Sequence, residues 1–339
     1  MGRDEIFGTT PDGQPVRRVT ISGGGLTAHF LSWGAILQDL RLEGHDAPLT
    51  LGFERFQDYL DWINYFGAVV GRHANRIRDG RFSIDGTEYR IDAVRPETHG
   101  LHGGVGGYAR RNWTISTVGD DFVTLSLIDA DGTMGFPGNV TAHCNYRLKA
   151  SGVLSVELTA TTDQLTLCNF AQHAYFNLDD GGATDTLGHR LMIAADAYLP
   201  VDDELIPTGE VRPVDGLVHD FRRARSILPV NSSTPIRYDE NFCLALSRGP
   251  LRQAAWAQGA KSGVEMEIWT TEPGLQFYAG HHVGSQAPGL GGRRYPQFGG
   301  FCLEAQTWPD SPNKPSFPQA VLRPGETYRQ VTEFRFRRD

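Results

Sequence analysis

His173 lies in the segment QHAYFNL and Glu304 in GGFCLEAQ, and each sits in a stretch where apolar and polar residues alternate. Strand side chains point alternately to two faces, so His173, Tyr175 and Asn177 are expected on one face, with Ala174, Phe176 and Leu178 on the other. Glu304 and Gln306 oppose Phe301, Leu303 and Ala305 in the same way. A histidine and a carboxylate facing one ligand form a general acid and base with no covalent nucleophile, provided burial and neighbours bring their pKa values near the working pH. Such a pair suits the transfer of protons between two oxygens. Opening a cyclic sugar needs this: a base takes the proton of the anomeric hydroxyl while an acid delivers one to the ring oxygen. The scheme requires neither metal nor cofactor.

Other segments carry the side chains that hold hydroxyl groups. In Gly71-Arg72-His73-Ala74-Asn75-Arg76-Ile77, an arginine offers a planar fork of donors for two adjacent hydroxyls, and the pattern does not choose between Arg72 and Arg76. In Leu101-His102-Gly103-Gly104 the glycines allow close backbone approach to a ligand. Asp239 can accept from vicinal hydroxyls, and Gln276 and Tyr278 share a face opposite Leu275 and Phe277. Residues 307–313 form a turn-rich segment in which Trp308 either stacks on the ligand or joins the core. Each residue alone has an ordinary structural explanation, and their number and spread carry the reading. The pair His281–His282 has no acidic or thiol partner at a supporting spacing, so no metal is expected there.

The elements that must position these groups are strands. Period-two stretches broken by Gly, Asp and Pro dominate the chain, among them 40 glycines and 19 prolines. Segments 82–84 and 87–91 flank Asp85-Gly86, a pair that favours a tight hairpin. Residues 140–148 and 153–160 form a second hairpin across Ala150-Ser151-Gly152, and 122–128 a further strand. The clearest helical pattern is 54–62, with Phe56, Tyr59 and Leu60 on one stripe. No fixed repeat or linker appears, so the reading is all-β, one large β-sandwich over 1–339.

Composition narrows the partners. The 339 residues are 40% hydrophobic and 21% charged, with a formal net charge of −8, which argues against nucleic acid. No run reaches the roughly 18 apolar residues of a membrane helix, and the acidic N-terminus has no secretory h-region, so no membrane partner and a cytoplasmic location are expected. The four scattered cysteines read as reduced small hydrophobes. The basic RFRRD run at the end reads as a solvated terminus.

These residues together resemble the aldose 1-epimerase (galactose mutarotase) family. The matching blocks are GAVVGRHANRI, LHGG, HAYFNL, LPVDDELIPTGE, YDENF, GLQFY, CLEAQTWPDSPN and FPQAVLRPGETY, in the family's order from 67 to 328. The resemblance implies a single-domain supersandwich with the sugar in an open cleft on one sheet. It also implies interconversion of the α and β anomers of an aldose, by a monomer or homodimer. His173 matches the family's catalytic acid and Glu304 its base, while Asn75, Arg76, His102, Tyr175, Asp239 and Gln276 match its substrate contacts. Gln172 and Ala174 around His173, His99 upstream of LHGG, and Glu240 within YDENF depart from the family pattern and bear on sugar preference. Two other readings compete: a glycoside hydrolase using Glu304 and Asp239, which leaves His173 without a role, and a sugar sensor that binds without turnover.

Overall fold

The computed structural model describes residues 3–62, 65–92, 99–230, 232–284 and 287–338. The alternation seen in the sequence becomes antiparallel sheet. The hairpin at Asp85-Gly86 forms with Arg81–Ile84 paired to Thr87–Arg90, and Ile84 faces Thr87. Both turn residues have positive φ, 47° and 82°, as a two-residue turn matched to the strand twist requires. Val140–Lys149 and Val153–Thr162 pair along their whole length, and Phe122–Asp129 flanks them. The helix spans Phe56–Asp61, inside the predicted 54–62, and buries Phe56 and Tyr59.

Two large sheets dominate. A nine-stranded sheet includes Phe122–Asp129, Val140–Lys149, Val153–Thr162, Tyr328–Arg337, Glu265–Thr270 and Arg252–Gln258 in that order. A six-stranded sheet is centred on Phe301–Gln306, Gly274–Tyr278 and Asp239–Cys243. Val156, Ile268 and Phe334 of the first meet Leu303, Phe277 and Phe242 of the second in one continuous core, which makes the all-β sandwich expected from the sequence. A four-stranded sheet of residues 3 to 42 adds Val19, Phe30 and Leu40 to the same core.

The basic end of the chain corrects the sequence reading. Tyr328–Arg337 is an interior strand, paired on one side with Val153–Thr162 and on the other with Glu265–Thr270. Phe334 and Phe336 enter the core, while Arg335 lies 4.1 Å over the Trp269 ring and Arg337 bonds Glu265 at 2.6 Å. The Phe-Arg-Phe-Arg alternation is thus a two-faced strand, and only its last residues resemble a tail. All four cysteines are free, with Cys144, Cys168 and Cys302 buried. Among the described residues, no helix is long and apolar enough to cross a membrane.

Candidate active site

The site is built on the face of the six-stranded sheet that points away from the core. In Phe301–Gln306, Phe301, Leu303 and Ala305 join the core, and period two turns Cys302, Glu304 and Gln306 to the other side. Register carries this face sideways: Glu304 lies directly opposite Gln276, Gln276 opposite Asn241, and Tyr278 between Cys302 and Asp239. Tyr175 pairs with Cys302 on the remaining flank. Antiparallel partners in register present side chains to the same face, so Tyr175, Glu304, Gln276 and Asp239 share it. His173 is brought in by the short strand Ala171–His173, which pairs with Ala68–Val70, and its ring stacks on Tyr175 with centroids 5.2 Å apart and planes 19° apart.

Two turns complete the wall. Arg76–Ile77 pairs with Gly100–Leu101, which places Asn75 and His102 side by side at the strand ends. His102 N–H donates to the Asn75 carbonyl at 3.1 Å, and Asn75 N–H donates to His102 Nδ1 at 3.1 Å. The imidazoles of His102 and His173 meet edge to face at 5.2 Å. His173 Nε2 stands 3.6 Å from Glu304 Oε2, and ligand-type atoms of His102, His173 and Glu304 all lie within 4.8 Å of one another. By residue type these three could hold a metal ion. Asn75, Asp239 and Gln276 line one pocket, where Gln276 Nε2 donates to Asp239 Oδ1 at 2.7 Å.

Burial sets the electrostatics. Glu304 and His173 are 2% and 5% exposed. Desolvation pushes the Glu304 carboxyl well above the usual carboxylate range, the nearby Asp239 charge adds to this, and the Arg76 guanidinium opposes it. Burial lowers His173 to about 4 and holds His102 well below the ordinary histidine value, with His173 and Arg76 lowering His102 further. Asp239 is raised, chiefly by desolvation, against the pull of Arg76 and Gln276. Glu304 Oε2 is buried with no hydrogen-bond partner among the described residues. A buried carboxyl oxygen left without a partner is one that a polar ligand could satisfy.

The structure gathers the eight residues matched through the family resemblance, Asn75, Arg76, His102, His173, Tyr175, Asp239, Gln276 and Glu304, around one face, and it removes Arg72 from the candidates. Arg72 is 1% exposed and bonds Asp129 at 2.6 Å and the Pro137 and Gly138 carbonyls at 2.7 and 2.9 Å, so its fork is spent within the protein. Other candidates take structural roles, and Trp308 takes the core alternative. A Cβ at Gly103 would lie 2.0 Å from the Gly71 carbonyl, so this glycine admits the chain's own backbone and not a ligand. Trp308 is 1% exposed, donates to the Pro273 carbonyl and packs on Phe317. Asn177 clamps the carbonyls of Thr184 and Gly299 away from the pair.

The departures from the family pattern are engaged within the protein, His99 among them, whose Nδ1 accepts the Asp79 N–H at 2.8 Å. Gln172 is spent on the Gly67 carbonyl and the Ala174 N–H, Ala174 lies in the core, and Glu240 Oε2 accepts the Asp239 N–H at 2.8 Å. Tyr65 was not singled out in the sequence. Its ring lies 5.6 Å from that of His173 and 4.6 Å from that of His102. Only its aromatic type and its place just before Gly67 could have signalled it.

Comparison with known proteins follows the same lines. The family model for aldose 1-epimerase matches residues 17–335. The chain is 40% identical over 336 residues to a galactose mutarotase of Rattus norvegicus, covering 98% of this chain and 97% of that protein. It is 36% identical over 344 residues to an aldose 1-epimerase of Escherichia coli K12, covering 98% and 99%. The solved structure of a GalM/aldose epimerase homologue from C. elegans superimposes with a TM-score of 0.88 at 29% identity, over 95% of this chain and 98% of that one.

Proposed function

This chain belongs to the aldose 1-epimerase family, and we propose that it is an isomerase that interconverts the α and β anomers of an aldose with Glu304 as base and His173 as acid. Glu304 takes the proton from the hydroxyl on C1. The C1–O5 bond breaks, its electron pair goes to O5, and O5 takes the proton on His173 Nε2. The aldehyde turns about C1–C2. The O5 hydroxyl then attacks the opposite face of C1, its proton returns to His173, and Glu304 returns its proton to O1. The anomer is inverted and both side chains regain their starting states.

One proton shared by the pair suffices for the whole cycle. The pair reacts with the cyclic sugar in its less populated one-proton form, carboxylate and imidazolium, and the open chain meets the more populated form, carboxylic acid and neutral imidazole. Burial, which raises Glu304 and lowers His173, stabilises the second arrangement and so lowers the cost of the ring-opened intermediate. Arg76, Asn75, Asp239, Gln276, Tyr175 and His102 supply the surrounding donors and acceptors that hold the sugar hydroxyls.

The observation that carries this reading is the 3.6 Å approach of two buried, oppositely shifted groups, one with a free acceptor atom. Glu304→Gln, nearly isosteric, should lower turnover of an α-aldose by about 10²–10⁴-fold while calorimetric titration still detects sugar binding. Turnover equal to the parent would remove Glu304 from the base role, and unchanged binding by a parent that shows no turnover would favour the sensor.

A further inference from the structure

We infer that Asn75 locks His102 in the tautomer protonated on Nε2, so that His102 is a fixed hydrogen-bond donor to the sugar and His173 alone carries the mobile proton. The inference deepens the reading of the site given above and rests on it for the sugar. A backbone N–H can only donate, so Nδ1 of His102, 3.1 Å from Asn75 N, must present its lone pair. In the neutral ring the proton then sits on Nε2. Desolvation opposes adding a second proton, and the neighbouring His173 and Arg76 oppose it too.

The lock is structural. His102 N–H returns a bond to the Asn75 carbonyl, and both residues sit in the left-handed region, at φ 63° for Asn75 and 51° for His102. A conformation that costs roughly 1 kcal/mol or more at each non-glycine residue persists where the surroundings fix it. Here it aims one amide at one ring nitrogen.

His173 meets the reverse arrangement. Its Nδ1 faces Cys302 Sγ at 3.6 Å, and Nε2 faces the carboxyl of Glu304. No backbone N–H donates to its ring among the described hydrogen bonds, and its own backbone accepts from the ring, which favours a ring N–H, so Nε2 beside Glu304 is left to gain and lose the mobile proton. Two imidazoles in edge contact thus do different work: one donates and keeps its proton, the other exchanges it. The same lock bears on the three ligand-type atoms at the site. Coordination through His102 Nε2 needs that lone pair, and moving the proton to Nδ1 would set it against the Asn75 N–H. A divalent metal is therefore disfavoured at this cluster although its residue types and spacing suit one.

Long-range proton–nitrogen NMR of the histidine-labelled protein tests this, with the His102 signals identified by their loss in His102→Gln. The expected result is Nδ1 unprotonated and Nε2 protonated, unchanged between about pH 5 and 8, the range in which an ordinary histidine titrates. It should also persist with an excess of Zn²⁺. A protonated Nδ1, averaging between the two tautomers, or loss of the Nε2 proton on adding Zn²⁺ would overturn the lock. In the kinetic arm, glutamine can place an N–H near the Nε2 position and asparagine near Nδ1. His102→Gln should turn over about tenfold faster than His102→Asn, with both below the parent, a modest share of what one preorganised donor supplies. Asparagine equal to or faster than glutamine would contradict the donor role. Because the tautomer is read without turnover, an inactive parent with the expected spectrum would sink the mutarotase reading and leave the lock standing, and the reverse pair of results would do the opposite.

Discussion

At the scale of the residue, opposite shifts on Glu304 and His173 make the pH dependence of activity a direct probe. The pair works with one shared proton, so the acid limb of kcat/KM reports the second protonation, placed near 4 by the burial of His173. The alkaline limb reports loss of the shared proton from a carboxyl held well above the usual range. A broad plateau between the limbs is predicted, and an acid limb at about 6.5, the ordinary histidine value, would contradict it.

The same burial has a cost in stability. A raised carboxyl pKa means that the folded chain binds more protons than the unfolded one between the unfolded value and the folded one. Stability from this group is therefore lost as pH rises through that window. His173 acts in the other sense: its lowered pKa costs stability below the ordinary histidine value and costs little above it. Glu304→Gln should therefore raise Tm at pH 8, by about 2 °C or more, and change it less at pH 4. A lower Tm than the parent at pH 8 would show that the buried carboxylate is compensated.

His173 and Glu304 were legible because each breaks an alternating run with a polar group on its own face. Arg76 could not be told from Arg72 by pattern, since what separates them is Asp129, a partner 57 residues away in the chain. Tyr65 depends on a chain path that no local pattern encodes.

At the scale of the element, strands were legible wherever period two met a turn signal. Asp85-Gly86 and Ser151-Gly152 supply the positive φ that their hairpins need, and both hairpins form across the turns read from the sequence. The basic end was misread because charge outweighed alternation: the arginines of Tyr328–Arg337 occupy one face and its phenylalanines the other. The irregular segments between strands are held by buried polar clamps that sequence does not announce. Arg72 is the clearest of these, since it ties the segment before Asn75 to Asp129 and to the 137–138 carbonyls. Arg72→Met leaves Asp129 without this buried partner and should cost about 3–5 kcal/mol in urea unfolding. A midpoint within error of the parent would mean that the Arg72 cluster does not hold this turn in place.

At the scale of the whole molecule, the two main sheets share one core and the site lies on the outer face of the smaller sheet. This division lets the core be apolar while its other side carries ionisable groups. The sandwich was legible from strand density and scarce helices, but strand order was not. The last strand inserts between segments near 153 and 265, and such pairings leave no local trace. We propose that residues 1–339 form one domain, which predicts a single cooperative step in the urea curve of the parent; two resolved steps would contradict it. The hydrogen-bonding groups gathered at the site suit an uncharged polyhydroxyl ligand, in keeping with the sugar substrate of the family.

Polarimetry of freshly dissolved α-D-galactose, α-D-glucose and α-L-arabinose with catalytic amounts of protein tests the central claim most directly. At least one sugar is expected to reach its normal final rotation faster than in buffer, and Glu304→Gln is expected to abolish the acceleration. Decay at the buffer rate for every aldose tried, or arrival at a different final rotation, would contradict it.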